Sequence, residues 1–245
     1  PDERGPPAIP LVLRHAVSLD RTVQDDSLWA LFYYLAVKRR SVALEIPEVV
    51  GIAMRASPRQ KASISILSRL ATTPAGSEAL CASPGVVEYI SSVHISNASL
   101  AQKTLAVLAT ICEGSEQREK LLVADRLRNL VLVCLERWKV PTLEGVVRVG
   151  RALLQHHPDH AAMTDFTHIF MCKMLGLRDA LSSDAEAHLA AYVRDVFCVC
   201  SDGRRVLLPF LKHTEWGDQL CELLLRQTDD ETIASVIAGL EGGST

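Results

Sequence analysis

The sequence predicts an all-α protein in which helical repeats stack side by side as an α-solenoid. Residues 60–137 contain two copies of one unit, each ordered as long, short and medium helix. A period near 40 residues with helical spacing of apolar positions is typical of α-solenoids. Apolar residues make up 48% of the 245 positions but aromatic residues only 5%, which favours closely packed aliphatic helices.

The repeat extends along the chain. The long helices are centred on apolar residues that recur in steps of 36, 41, 41, 44 and 43 positions: Leu31, Leu67, Leu108, Val149, Val193 and Val236. We therefore predict one domain of about five three-helix repeats over residues 1–245. Its parts are a partial repeat at 8–40, repeats at about 41–75, 76–115, 116–157, 158–201 and 202–240, and a tail at 241–245.

The first half of the chain predicts helices at 8–13 and 27–38 and a helical pair at 42–55, interrupted at Pro47. Asp26 or Ser27 would cap the second of these. A long helix follows at 57–71, with Ile64, Leu67 and Leu70 three positions apart. A short helix at 77–82 comes next, and then a medium helix with Pro84 in its first turn, where a missing N–H costs nothing.

The second copy of the unit occupies 99–138, and a break at 139–142 precedes a long helix at 143–155. Further helices are predicted at 169–177, 185–200, 203–211, 216–225 and 229–240. The three histidines after the long helix, His156, His157 and His160, flank Pro158. Without a second ligand set nearby, they indicate a solvated helix end rather than a zinc site.

Three segments carry a family resemblance: Ala8-Ile9-Pro10-Leu11-Val12-Leu13, Ser27-Leu28-Trp29-Ala30-Leu31 and Gly76-Ser77-Glu78-Ala79-Leu80. They resemble the second, third and first helices of armadillo repeats, and the resemblance covers nearly the whole chain. It implies a right-handed superhelix whose third helices line a concave groove that binds extended peptides or helices. HEAT-like geometry remains an alternative for the C-terminal third.

The chain departs from importin-alpha-like and beta-catenin-like members, which carry a peptide-gripping asparagine on the third helix. Alignment on the central apolar residues places other residues there: Tyr33, Arg69, Thr110, Arg151, Asp195 and Ala238. Importin-alpha-like members add a tryptophan four residues earlier, where this chain has Trp29, Ser65, Ala106, Val147, Ala191 and Ala234. With no asparagine ladder and one tryptophan, we do not predict an importin-alpha-like reader of nuclear signals.

Five basic residues are predicted on or near the exposed face of successive third helices: Lys61, Arg69, Lys103, Arg148 and Arg151. They would form a basic groove for an acidic peptide, because arginine pairs with carboxylates through two parallel hydrogen bonds. The alternative is an ordinary solvated helix face.

Trp29 and Tyr33 lie one helical turn apart. They would form an aromatic anchor at the N-terminal end of the groove. The alternative is packing against a preceding repeat.

Charge, cysteines and missing motifs limit the function. The net charge of −3 argues against a nucleic-acid partner bound through bulk positive charge, and no apolar run is long enough to span a membrane. Seven cysteines in apolar runs indicate buried thiols in a reducing compartment, hence a cytoplasmic location, with the nucleus as alternative. The thiols of Cys198 and Cys200 would point about 200° apart on a helix, which is poor for chelation.

No nucleophile elbow, phosphate loop, dinucleotide turn or HExxH motif is present, so we predict neither an enzyme nor a cofactor. The leading hypothesis is a protein-interaction scaffold that binds a protein or peptide segment in its groove. Because the chain opens on Pro1, we expect it to be part of a longer protein. The alternatives are a regulatory arm of a multidomain enzyme, such as a kinase or TIR-type hydrolase, and a structural spacer in a longer solenoid.

Overall fold

Helices account for the regular structure, and no β-strand occurs in the part of the chain that the structure describes. The structure is a computed structural model, and it describes residues 26, 28–29, 46–56, 61–123, 125–138, 140–177, 183–212 and 215–227. The predicted all-α class is confirmed for these residues. Helix packing divides the chain into two compact units, Pro1–Lys120 and Leu121–Thr245.

The described helices of the first unit are α1 (Ile46–Arg55), α2 (Lys61–Leu70), α3 (Pro74–Ala82), α4 (Val86–Ser91) and α5 (Ala98–Gly114). A 3₁₀ turn (Glu116–Arg118) follows, and the short α6 (Glu119–Leu122) runs across the unit boundary. The described helices of the second unit are α7 (Arg126–Trp138), α8 (Val140–His156), α9 (Ala161–Leu175), α10 (Ser183–Val199), α11 (Ser201–Lys212) and α12 (Glu215–Gln227).

Helix α5 is the centre of the first unit and packs against α2, α3 and α4. Asn97 starts it, since its side-chain oxygen accepts a hydrogen bond from the Leu100 N–H at 2.9 Å. Ten of its seventeen residues are buried, including Leu105 and Leu108. Burial therefore extends around most of α5, which matches a helix that is covered by three neighbours.

Helices α2 and α3 are joined by a tight connection. Thr73 caps α3 by accepting a hydrogen bond from the Gly76 N–H at 3.2 Å. A Cβ at Gly76 would lie only 2.3 Å from the Leu70 carbonyl oxygen at the end of α2. Glycine at position 76 therefore permits the end of α2 and the start of α3 to approach each other.

The connection before α4 corrects one prediction. Pro84 lies before the helix and not in its first turn, because Gly85 is the residue that caps α4. Gly85 has a φ of 76°, a left-handed conformation that glycine adopts without a steric penalty. Pro47 lies in the first turn of α1, and the residues of the predicted pair before Ile46 lie outside the described residues.

In the second unit, each helix packs against its neighbour and against the next helix but one. The helices α7, α9 and α11 contact each other in succession, as do α8, α10 and α12. Three rings lie between α9 and α10: Phe166 and Phe170 of α9 are 5.7 and 4.9 Å from Tyr192 of α10, measured between centroids. The Tyr192 hydroxyl is 2.7 Å from the Thr167 hydroxyl, which satisfies the buried phenol.

Two predicted boundaries in the second unit are wrong. The break at 139–142 does not extend past residue 139, since α8 begins at Val140 and the Thr142 hydroxyl donates to the Cys134 carbonyl at 3.1 Å. Helix α9 begins at Ala161 rather than at 169. Its first half mixes polar residues with buried Met163 and Phe166, which obscured the apolar period in the sequence.

The central apolar residues of the long helices are buried wherever the structure describes them. Leu67, Leu108, Val149 and Val193 are each at most 1% exposed. Leu31, Val236, Ala238 and the helices predicted at 8–13 and 229–240 lie outside the described residues. Among the helices that are described, none combines the length and the hydropathy that crossing a bilayer requires.

Gly150 is predicted to tolerate no side chain. A Cβ at this position would lie 2.6 Å from Cε1 of Phe166 and 3.1 Å from the Tyr192 ring, both of which are buried. Gly150→Ala should lower the free energy of unfolding by about 1–3 kcal/mol through overpacking, measured by urea denaturation. Gly51→Ala is the matched control, because its Cβ would meet nothing closer than Nη1 of Arg55 at 3.6 Å. Equal effects of the two substitutions would contradict the prediction.

The protein should lose stability at alkaline pH through two buried thiols. Desolvation raises the pKa of Cys112 and of Cys134 from 9.0 to about 12. Above pH 9.0 the unfolded chain therefore releases protons that the folded chain retains, and stability falls as the pH rises towards 12. Between about pH 8 and pH 11, the urea midpoint of Cys112→Ala/Cys134→Ala should fall less than that of the wild type. Cys172→Ala, at an exposed thiol, should retain the wild-type decrease.

Candidate partner-binding surface

The predicted basic residues lie on two pairs of packed long helices, one pair in each unit. Helices α2 and α5 pack together in the first unit, and α8 and α10 pack together in the second. Lys61, Arg69 and Lys103 belong to the first pair, and Arg148 and Arg151 to the second. The two groups are described separately below.

On the first pair, the three basic residues differ in exposure. Lys61 is exposed at the start of α2, and Arg69 is half-buried in the last turn of the same helix. Lys103 of α5 is half-buried, and its Nζ donates a hydrogen bond to the hydroxyl of Ser65 on α2 at 2.8 Å. Lys103 therefore joins the two helices as well as adding charge to their surface.

On the second pair, an ion pair joins α8 to α10. Nε of Arg151 donates to Oδ2 of Asp195 at 2.5 Å. These two residues occupy equivalent positions in the predicted repeat, separated by 44 residues. Their contact joins α8 to α10, which pack side by side.

The same carboxylate has a second arginine partner. Nε and Nη2 of Arg194 approach Oδ1 of Asp195 at 3.2 and 3.0 Å. Asp195 thus uses one oxygen for each arginine and is the least exposed of the three, at 17% against 35% for Arg151 and 36% for Arg194. We call Arg148, Arg151, Arg194 and Asp195 the α8/α10 arginine cluster.

Sequence reasoning missed Arg194. A signal for it existed, because Arg194 directly precedes Asp195, which the alignment had placed on the same face as Arg151. The alignment compared one position per repeat and did not consider the residue beside it. Only the structure shows that the Arg194 side chain turns towards the carboxylate.

One further charged residue precedes the arginines on α8. Arg148 is exposed one turn before Arg151, and Glu144 is exposed one turn earlier again on α8. The three arginines exceed the two carboxylates of Glu144 and Asp195 by one charge, and the excess lies towards the C-terminal half of α8. Guanidinium groups in this setting bind carboxylates through charge-assisted hydrogen bonds.

The predicted aromatic anchor is described only in part. Trp29 is 41% exposed, which is unusual for a tryptophan. Tyr33 lies outside the described residues. The pairing of these two side chains stays a prediction.

The histidines and cysteines have structural partners. Nδ1 of His160 accepts a hydrogen bond from the Ala162 N–H at 3.1 Å and so caps α9, whereas His156 is exposed. Cys198 is exposed, but Cys200 is buried and its sulfur accepts from the Gly203 N–H at 3.1 Å. Within the described ranges, no three His, Cys, Asp or Glu side chains are grouped as a metal site requires.

No protein-family model, curated protein or solved structure matches this chain. The functional argument therefore depends on the geometry of the chain itself.

The ion pair between Arg151 and Asp195 should contribute little to stability. Because Arg151 is about one-third exposed, solvent screens the interaction, and a double-mutant cycle with Arg151→Gln and Asp195→Asn should give a coupling of about 0.2–1 kcal/mol. Urea denaturation of the four proteins measures it. Lys173→Gln and Glu136→Gln provide a comparison cycle at another interhelical pair, between α9 and α7, with 33% and 54% exposure. A coupling above about 2 kcal/mol would indicate a structural role instead.

Proposed function

We propose that this chain is an armadillo-type scaffold without catalytic activity, and that it binds an acidic protein segment across its packed long helices. The observation that carries the proposal is the ion pair between Arg151 and Asp195. It joins equivalent positions of successive long helices and leaves arginines at a half-exposed surface.

The packing of the second unit supports a repeat protein. Contacts between every second helix are what a stack of helix pairs produces, since each repeat covers the apolar face of the next. Helices α7 and α8 pack as one such pair and α11 and α12 as another, and rings of α9 and α10 meet at Tyr192, which favours two helices per repeat rather than three. We therefore propose HEAT-like repeats for this unit and armadillo-like repeats for the first, where the short α3 and α4 precede the long α5.

The chemistry of the surface favours an acidic segment as the ligand. Arg151 and Arg194 meet at a half-exposed carboxylate, Arg148 lies one turn from Arg151 on α8, and arginine forms strong charge-assisted hydrogen bonds with carboxylates. The whole chain carries −3, which disfavours nucleic acid as the partner. The seven cysteines are not joined in disulfides, as in proteins of a reducing compartment such as the cytoplasm.

Binding of a fluorescein-labelled Glu-rich peptide, followed by fluorescence anisotropy at low ionic strength, tests the proposal. The wild-type protein should bind this peptide and not a Gln-rich peptide of the same length. Arg148→Gln/Arg151→Gln should raise Kd by about tenfold, because two charge-assisted contacts of about 0.5–1 kcal/mol each are lost. Added salt should weaken wild-type binding more than variant binding.

Arg205→Gln and Lys212→Gln on α11 together form the matched control, since they remove the same charge from exposed positions off α8 and α10. Equal losses in the double variant and in this control would point to bulk charge and contradict the proposal. Tighter binding of a single-stranded oligonucleotide than of the Glu-rich peptide would contradict it as well. If no peptide bound, the chain would be better described as a structural spacer.

A further inference from the structure

The Asp195 carboxylate occupies the place between Arg151 and Arg194 at which an acidic ligand would bind. Its two oxygens accept hydrogen bonds from Arg151 of the neighbouring helix and from Arg194 of its own. The arrangement of one carboxylate between two guanidinium groups is the one that a Glu or Asp of a partner segment would form. The carboxylate of Asp195 therefore neutralises part of the positive charge that the two arginines bring to this surface.

The internal pair is weak enough for a ligand to compete with it. Arg151 and Arg194 are each about one-third exposed, so water reaches both guanidinium groups. Arg151 uses one N–H of the five that a guanidinium carries in its bond to Asp195. A ligand carboxylate can therefore bind to the outer edge of the guanidinium or replace Asp195 on it, at a small cost in either case.

We propose that Asp195 is a specificity-determining residue that lowers the affinity of the α8/α10 arginine cluster for acidic segments. Its carboxylate holds the two arginines in position and at the same time offsets one of their charges. A partner then needs several acidic residues, spaced to reach Arg148 as well, to compete with it. This inference rests on the proposed function, because it concerns the same surface and the same class of ligand.

The isosteric substitution Asp195→Asn separates the two effects. The amide oxygen can still accept a hydrogen bond from Arg151, but the negative charge is gone. Asp195→Asn should therefore bind the Glu-rich peptide about tenfold more tightly than the wild type, through two uncompensated guanidinium groups. Adding Arg151→Gln to this variant should abolish most of the gain, whereas adding Lys212→Gln, which makes the same change in net charge at an exposed position of α11, should leave the gain intact.

Asp202→Asn is the matched control. Asp202 is an exposed carboxylate of α11 paired with Arg205, and its substitution changes the net charge by the same amount. Its peptide affinity should stay within about twofold of the wild type, because exposed pairs contribute little. Asp195→Ser is a second variant in case the amide destabilises the fold, and urea denaturation of each protein verifies folding before binding is measured.

The outcomes distinguish the inference from the proposed function. The first outcome is that the wild type binds the peptide and Asp195→Asn binds it no more tightly than the wild type or Asp202→Asn does. The inference is then overturned and the proposed scaffold function stands. If only the Asp195 variants bind the peptide, the inference stands and the wild-type chain does not bind acidic ligands. If none of the proteins binds, both are overturned.

Discussion

The packing of long helices against one another, α2 against α5 in the first unit and α8 against α10 in the second, is the constraint on which the rest of the structure depends. These helices bury aliphatic side chains almost completely, such as Leu67 and Leu108 in the first unit and Val149 and Val193 in the second. Truncation of such a leucine typically costs about 2–5 kcal/mol. By contrast, the polar bridges at the edges of the helices contribute little to stability and are therefore free to serve recognition.

The polar bridges depend on this packing for their geometry. Lys103 reaches Ser65, and Arg151 reaches Asp195, only because the apolar contacts beneath them hold α2 beside α5 and α8 beside α10. A surface built in this way is rigid without being strongly bonded itself. Under the proposed function, its arginines would be positioned before a ligand arrives, which would reduce the entropy that binding costs. The armadillo assignment and the acidic ligand remain proposals that this geometry supports.

Features that depend on local helical periodicity could be predicted from the sequence. Features that depend on contacts between residues far apart in the sequence could not. Central apolar residues such as Leu108 were identified because their spacing is helical over several turns. The start of α9 was missed because its buried Met163, Phe166 and Phe170 alternate with polar residues, and one of these, Thr167, is buried through its bond to Tyr192. The position of Arg194 beside Asp195 was visible in the sequence, but the direction of its side chain towards the carboxylate could not be predicted from spacing.

Gly150 has a consequence for how such chains diversify. Its backbone lies against the Phe166 ring so closely that the two positions share one volume. A relative with a larger residue at the position of Gly150 would need a smaller one at that of Phe166, so the pair should change together, although sixteen positions separate them along the chain. Helices α8 and α9 can therefore not evolve independently. If related chains exchanged segments at a point between these two helices, the product would combine residues at positions 150 and 166 that do not fit each other.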